Sequence, residues 1–190
     1  MLETERLYLR PLTLDDLEDV HRMHSDPQTV RYASGRIKTL EESGKWLEGA
    51  IGSYERHGHG FWALELKPAG EFAGHAGLLA QLVDDVRETE IAYWILRDRW
   101  GQGLATEAAT ASRDYGFQVL GRDRLISIIH PDNRASRRVA EKVGLRIEKP
   151  ATHKGIEVLI YSIEPGEPSR LGEPDEPSKP GESSESSERG

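Results

Sequence analysis

Residues Arg99–Ala108 read R-W-G-Q-G-L-A-T-E-A. Gly101 and Gly103 let the backbone curl and approach a ligand without a side chain in the way. Leu104, Ala105 and Thr106 then open a helix that the spacing carries to about Val119. The free N–H groups of a helix start, together with the positive end of its dipole, make a cradle for a phosphate group. Immediately before the loop, Thr89–Leu96 (T-E-I-A-Y-W-I-L) reads as a strand. The unit is therefore strand, glycine turn, helix, with an anion site at the turn.

Working outward, Leu125–Ile129 is a short apolar strand suited to a buried parallel position. A helix follows from about Ala135 to Val143, closed by Gly144 as a left-handed cap. Leu145–Ile147 and Ile156–Ile163 are the last strands. Upstream, Phe61–Leu66 and Phe72–Leu79 are strands joined by a Pro68-Ala69-Gly70 turn, and His57-Gly58-His59-Gly60 is a turn before them. Leu7–Arg10 alternates like an edge strand ending at Pro11. Thr13 with Asp16, and Thr39 with Glu42, have the spacing of capping boxes. Each precedes an apolar stripe at helical spacing: Leu14, Leu17, Val20, Met23, His24, and then Trp46, Leu47, Ala50, Ile51, Tyr54. Asp26-Pro27 breaks the first of these helices. The order predicts an α/β fold: a mixed central sheet of about seven strands flanked by about four helices.

The chain has 190 residues and a net charge of −8. From Glu164 onward there are eight acidic and three basic residues, five of the ten prolines, and Leu171 as the one large apolar residue. Such a segment cannot offset its ordering entropy, so the reading is a folded domain over 1–164 and a disordered acidic tail over 165–190. The residues before Glu164 are left with a charge of −3. They offer no basic surface for nucleic acid. They have no apolar run of membrane-spanning length and no signal-peptide core, so no membrane partner and a cytoplasmic location are expected. Absence of cysteine excludes disulfides, thiolate metal sites and a cysteine nucleophile. No spacing among the seven histidines makes a metal site. Oligomeric state is not legible.

Other phosphate-binding motifs fit the loop poorly. In a dinucleotide fingerprint Thr106 would occupy the third glycine position, and Asp123 precedes the next strand instead of ending it. A P-loop needs Gly-Lys-Ser/Thr, which is absent.

W-G-Q-G-L-A-T-E-A resembles the coenzyme A diphosphate motif of the GNAT N-acetyltransferases, and more narrowly that of the RimJ/RimL-like branch acting on ribosomal-protein N-termini. Gly103 and Ala105 match its last two fixed positions. Trp100 stands where the superfamily has Gln or Arg, and the branch commonly carries an aromatic there. T-E-R-L-Y-L-R-P-L near the N-terminus, E-I-A-Y-W-I before the loop, and N-R-A-S-R-R-V-A-E-K-V-G-L from Asn133 to Leu145 are similar to other segments of that branch. The resemblance spans about Leu2 to Ile163.

The resemblance implies transfer of an acetyl group from acetyl-CoA, a co-substrate needing no metal, to a primary amine acceptor such as a peptide N-terminus or a small amine. It places the diphosphate on the backbone of Gln102, Gly103, Leu104, Ala105 and Thr106, and the thioester carbonyl on a backbone N–H of Ile95 or Leu96. Asn133, plainly read as a helix N-cap, would also lie beside the thioester. Ser136, plainly a first-turn serine, would also protonate the departing thiolate. Glu90, plainly a solvated strand carboxylate, would be the base or relay to it. His75 and His153 are weaker candidates on a strand and in a loop. Tyr93, Trp94 and Trp46 are core or groove-lining aromatics. No strong base stands out, which favours an acceptor of low amine pKa. The rival reading is a non-catalytic acyl-CoA-binding module on the same fold.

Overall fold

The computed structural model describes residues 1–33 and 35–166, so all but the first two residues of the expected tail lie outside the described residues. Both capping boxes form. The Asp16 carboxylate accepts the Thr13 N–H at 2.8 Å, Glu42 accepts the Thr39 N–H at 2.8 Å, and Thr39 Oγ1 accepts the Glu42 N–H at 3.2 Å. A single 3-10 turn at Leu14–Asp16 precedes α1 (Leu17–His24), and α3 runs over Leu40–Ile51. Between them the expected break at Asp26-Pro27 is a fresh start. Asp26 accepts the Gln28 N–H at 2.9 Å and Pro27 opens the short α2 (Pro27–Val30). The expected turn at His57–Gly60 is in part helix: α4 covers Ser53–His57 and ends on Gly58.

Eight strands form one sheet among the described residues: β1 (Leu2–Glu3), β2 (Leu7–Pro11), β3 (Phe61–Leu66), β4 (Glu71–Val83), β5 (Val86–Ile95), β6 (Leu125–Ile129), β7 (Arg146–His153) and β8 (Ile156–Ile163). Their spatial order is β1-β2-β3-β4-β5-β6-β8-β7. Every neighbouring pair is antiparallel except β5–β6. The sequence expectation shortened three strands. β4 and β5 extend to a two-residue turn at Asp84-Asp85, whose φ values of 49° and 63° are those of a tight hairpin. β7 is the edge strand, and so carries Pro150 without breaking the ladder.

Strand alternation on β5 sends Ile91, Tyr93 and Ile95 to one face and Glu90, Ala92 and Trp94 to the other. The first face packs on α5 (Leu104–Gln118) and α6 (Arg134–Val143), where Leu78, Leu125, Tyr161 and Leu104 are fully buried. The second packs on α1 and α3 through Val20, Leu47, Phe61 and Ala63. The sheet thus has covered faces on both sides, and β5 and β6 both lie in its interior, away from the edges.

Candidate active site

Gly103 is the N-cap of α5 at φ +80°, a conformation that L side chains rarely adopt. It brings no side-chain acceptor, so the N–H groups of Leu104, Ala105 and Thr106 have neither an intrahelical partner nor a cap. Gly101, at φ +75°, completes the curl. An anion seated here would meet three convergent donors and the positive end of a 15-residue helix. The residues fit a diphosphate.

The sheet opens beside this turn. β5 and β6 pair at one position, Glu90 with Ile126, and then part. Leu96 N–H donates to Ala73 O at 2.9 Å, which by alternation turns the polar groups of Ile91, Tyr93 and Ile95 away from β4 and toward the opening. Two side-chain bonds agree with that geometry. Ser127 Oγ donates to Ile91 O at 2.8 Å, and Trp100 Nε1 donates to Ile95 O at 2.7 Å. Of the two expected donors, the Leu96 N–H is thus spent on β4, and the Ile95 N–H faces the opening.

Asn133 and Ser136 flank the opening on the α5 side. Asn133 Oδ1 accepts the Ser136 N–H at 3.2 Å, the cap its plain reading requires. The Tyr93 hydroxyl donates to Ser136 O at 2.9 Å, tying the first turn of α6 to β5. Ser136 is half-buried.

Glu90 lies on the opposite face, and it is not solvated: it is 8% exposed. Its carboxylate accepts Gln81 Nε2 at 2.6 Å and the N–H of Ile128, a β6 residue beyond the point where the strands part. Burial raises its carboxyl from the ordinary 4.5 to about 7, against the lowering effect of those two hydrogen bonds. A carboxyl there is half ionised near neutral pH, the condition for a general base.

The histidines are placed otherwise. His75 is enclosed by Phe61, Trp46 and Trp94 with ring centroids at 4.6, 4.8 and 5.3 Å, and burial lowers it to about 3, so it stays neutral. His153 ends β7 at a hairpin instead of lying in a loop. His59 pins Leu78 O through Nδ1 at 2.8 Å. An open cleft of about 450 Å³ runs between α1–α2 and the turn after β5, lined by Met23, Asp26, Thr29, Leu96 and Arg97.

A strand pair that forks beside a glycine-capped helix is matched by sequence as well. The profile of the acetyltransferase (GNAT) domain fits residues 6–146. The chain belongs to the GNAT acetyltransferases. It is 34% identical over 149 residues to the uncharacterized protein YkkB of Bacillus subtilis, covering 78% of this chain and 86% of that protein. It is 30% identical over 149 residues to the spermidine N(1)-acetyltransferase of Escherichia coli K12, covering 77% and 76%. Among solved structures, an acetyltransferase from Agrobacterium tumefaciens superposes with a TM-score of 0.75 at 29% identity, covering 86% of this chain and 93% of that one. A RimL ribosomal L7/L12 α-N-protein acetyltransferase in complex with coenzyme A superposes at 0.70 with 19% identity, covering 85% and 95%, a likeness of fold. The protein is an acetyl-CoA-dependent N-acetyltransferase on a mixed α/β sheet, as its glycine loop implied. No helix among the described residues is long and apolar enough to cross a membrane.

Ile95, Asn133 and Ser136 lie where β5 and β6 have parted, with the Gly103 turn beyond Ile95, whereas Glu90 sits on the other face of the sheet, five residues back along β5 from Ile95. The structure adds Tyr93, Gln81, Ser127 and the Trp100 indole as the groups that hold them. Of these, Trp100 and Tyr93 stand in motif segments, Tyr93 being expected as a core or groove-lining aromatic, whereas Gln81 and Ser127 carried no signal.

Proposed function

We propose that the chain joins acetyl-CoA and a primary amine in a ternary complex and transfers the acetyl group by direct attack. The diphosphate rests on the N–H groups of Gly103–Thr106. The thioester lies in the fork, its carbonyl oxygen against the Ile95 N–H, where negative charge develops in the transition state. The amine enters from the α1–α3 face. Glu90, five residues back along β5 from Ile95, receives its proton through a chain of water molecules, and the nitrogen attacks the thioester carbon. Ser136 gives its hydroxyl proton to the departing thiolate, an acceptor with pKa near 8.5, and regains one from solvent. Positioning two reactants supplies much of the rate.

The observation that carries this reading is Glu90: a carboxyl held near 7 by burial, at the one position where β5 and β6 pair before they part. It also strengthens the case for Glu90, which the sequence reading named as the base or relay without finding a strong base. For a base near 7, an α-amine near 8 still surrenders its proton more readily than an ε-amine near 10.4, so a peptide N-terminus or a small amine of low pKa remains the preferred acceptor. The likeness to a spermidine acetyltransferase favours a polyamine as the second reading. The test is thiol release from acetyl-CoA, with product masses, across three acceptors: a lysine-free peptide with a free N-terminus, an N-blocked peptide containing lysine, and spermidine. Acetylation of the first supports the preferred acceptor, of spermidine the second. Reaction of the blocked lysine peptide alone overturns both.

A further inference from the structure

The opening segment T-E-R-L reaches across the molecule to the coenzyme loop. Glu107 stands in the first turn of α5, where a carboxylate favours the helix but repels an incoming diphosphate. Among the described residues, all four polar contacts to its carboxylate come from residues 4–6. Thr4 Oγ1 donates to Oε1 at 2.6 Å, and the Arg6 N–H donates to the same oxygen at 2.8 Å. Arg6 Nε and Nη2 lie 2.7 and 2.6 Å from Oε2, a two-pronged ion pair. The same guanidinium also grips the loop. Its Nη1 donates to Gln102 O at 2.7 Å, and its Nη2 stands 3.4 Å from where a Cβ on Gly103 would lie.

That last bond has a directional consequence. In a planar trans peptide the carbonyl and the following N–H point opposite ways. Holding Gln102 O toward Arg6 therefore turns the Gly103 N–H away from it, to join the donors of Leu104–Thr106. We propose that Arg6 is a positioning residue for the coenzyme's diphosphate: it orients the Gln102–Gly103 peptide and cancels the charge of Glu107. The inference rests on the diphosphate seat proposed above. Arg6 touches neither the thioester nor the amine. Its effect is confined to donors that carry a diphosphate.

The experiment compares acetyl-CoA with S-acetyl-pantetheine, which has the same thioester and no diphosphate, using the full chain. For Arg6→Gln the ratio of kcat/KM for acetyl-CoA to that for S-acetyl-pantetheine falls about tenfold or more, expressed in KM, with kcat for acetyl-CoA little changed. Adding Glu107→Gln removes the stranded carboxylate and restores part of that ratio. Arg6→Lys keeps the charge without the fork of donors and falls between. Equal loss on both donors would reduce Arg6 to a stabilising strut, and an unchanged ratio, or a double variant no better than the single, would overturn the proposal. Gly103→Val serves as the independent check. If it binds coenzyme A normally, the seat itself is misplaced. If it binds weakly while Arg6→Gln does not, the seat stands and the role of Arg6 falls.

Discussion

Replacing Glu90 by glutamine tests the base and its burial together. The carboxyl is raised from 4.5 to about 7. The folded state therefore holds that proton more tightly than the unfolded chain. Stability from this group is complete below about 4.5, is lost as pH rises toward 7, and is gone above it. The difference corresponds to about 3 kcal/mol of destabilisation at pH 8. The glutamine side chain carries no charge to bury, although its amide cannot accept from both Gln81 and Ile128 as the carboxylate does. That lost hydrogen bond costs about 1 kcal/mol, leaving a net gain of about 2 kcal/mol at pH 8 and a net loss at pH 5. Activity moves the other way. Loss of a general base lowers kcat/KM by a factor of about 10² to 10⁴, and the wild-type rise in kcat/KM through pH 7 flattens. The assays are urea unfolding at pH 5 and pH 8 and thiol release against pH. A variant that keeps the wild-type rate and its inflection near 7 would remove Glu90 from the chemistry. A variant destabilised equally at both pH values would refute the burial argument.

Gly103→Val forces a branched residue to φ +80° and should weaken coenzyme A binding at least tenfold by calorimetry. Ser136→Ala should lower kcat about a hundredfold with KM for acetyl-CoA little moved, the low end for lost proton transfer because a thiolate near pKa 8.5 is readily protonated by water. Leu125→Ala empties a fully buried site between the sheet, α5 and α6 and should cost about 2–5 kcal/mol in urea unfolding.

Reading the sequence reached the elements whose signals are local. The glycine turn, α5, α6 and both capping boxes depend on residues within one or two helical turns, and each formed where the spacing placed it. The misses were tertiary. Asp84-Asp85 adopts positive φ with neither Gly nor Asn to announce it, so the long β4–β5 hairpin was cut short at both ends. Arg146–His153 has little apolar alternation because it is an edge strand, so only its first residues read as one. Glu90 follows Arg87 and Glu88 on β5, a run that reads as solvent-facing. The extended hairpin and the fold of β7 and β8 against β6 bury it instead. The five main site positions were named by their motifs, whereas the supports Gln81 and Ser127 lie on β4 and β6 and have no sequence neighbourhood in common with them.

Gly74 limits how this protein can change. At φ +149° its backbone is pressed so near β5 that a Cβ would lie 2.1 Å from Trp94 O, and 2.9 Å from the Cα of Ile95. Any side chain there would push away Ile95, the proposed carbonyl donor. Neighbouring His75 is locked in its aromatic enclosure and has no slack to offer. A lineage acquiring a new amine could not remodel the central strands without losing the transfer step. Inherited variation in acceptor choice is therefore channelled into the surrounding pieces: α1, α2 and the loop after them, and the β7–β8 hairpin. Reshaping these leaves the carbonyl donor where it is. Directed evolution toward a chosen amine should place its diversity there and leave Gly74 untouched.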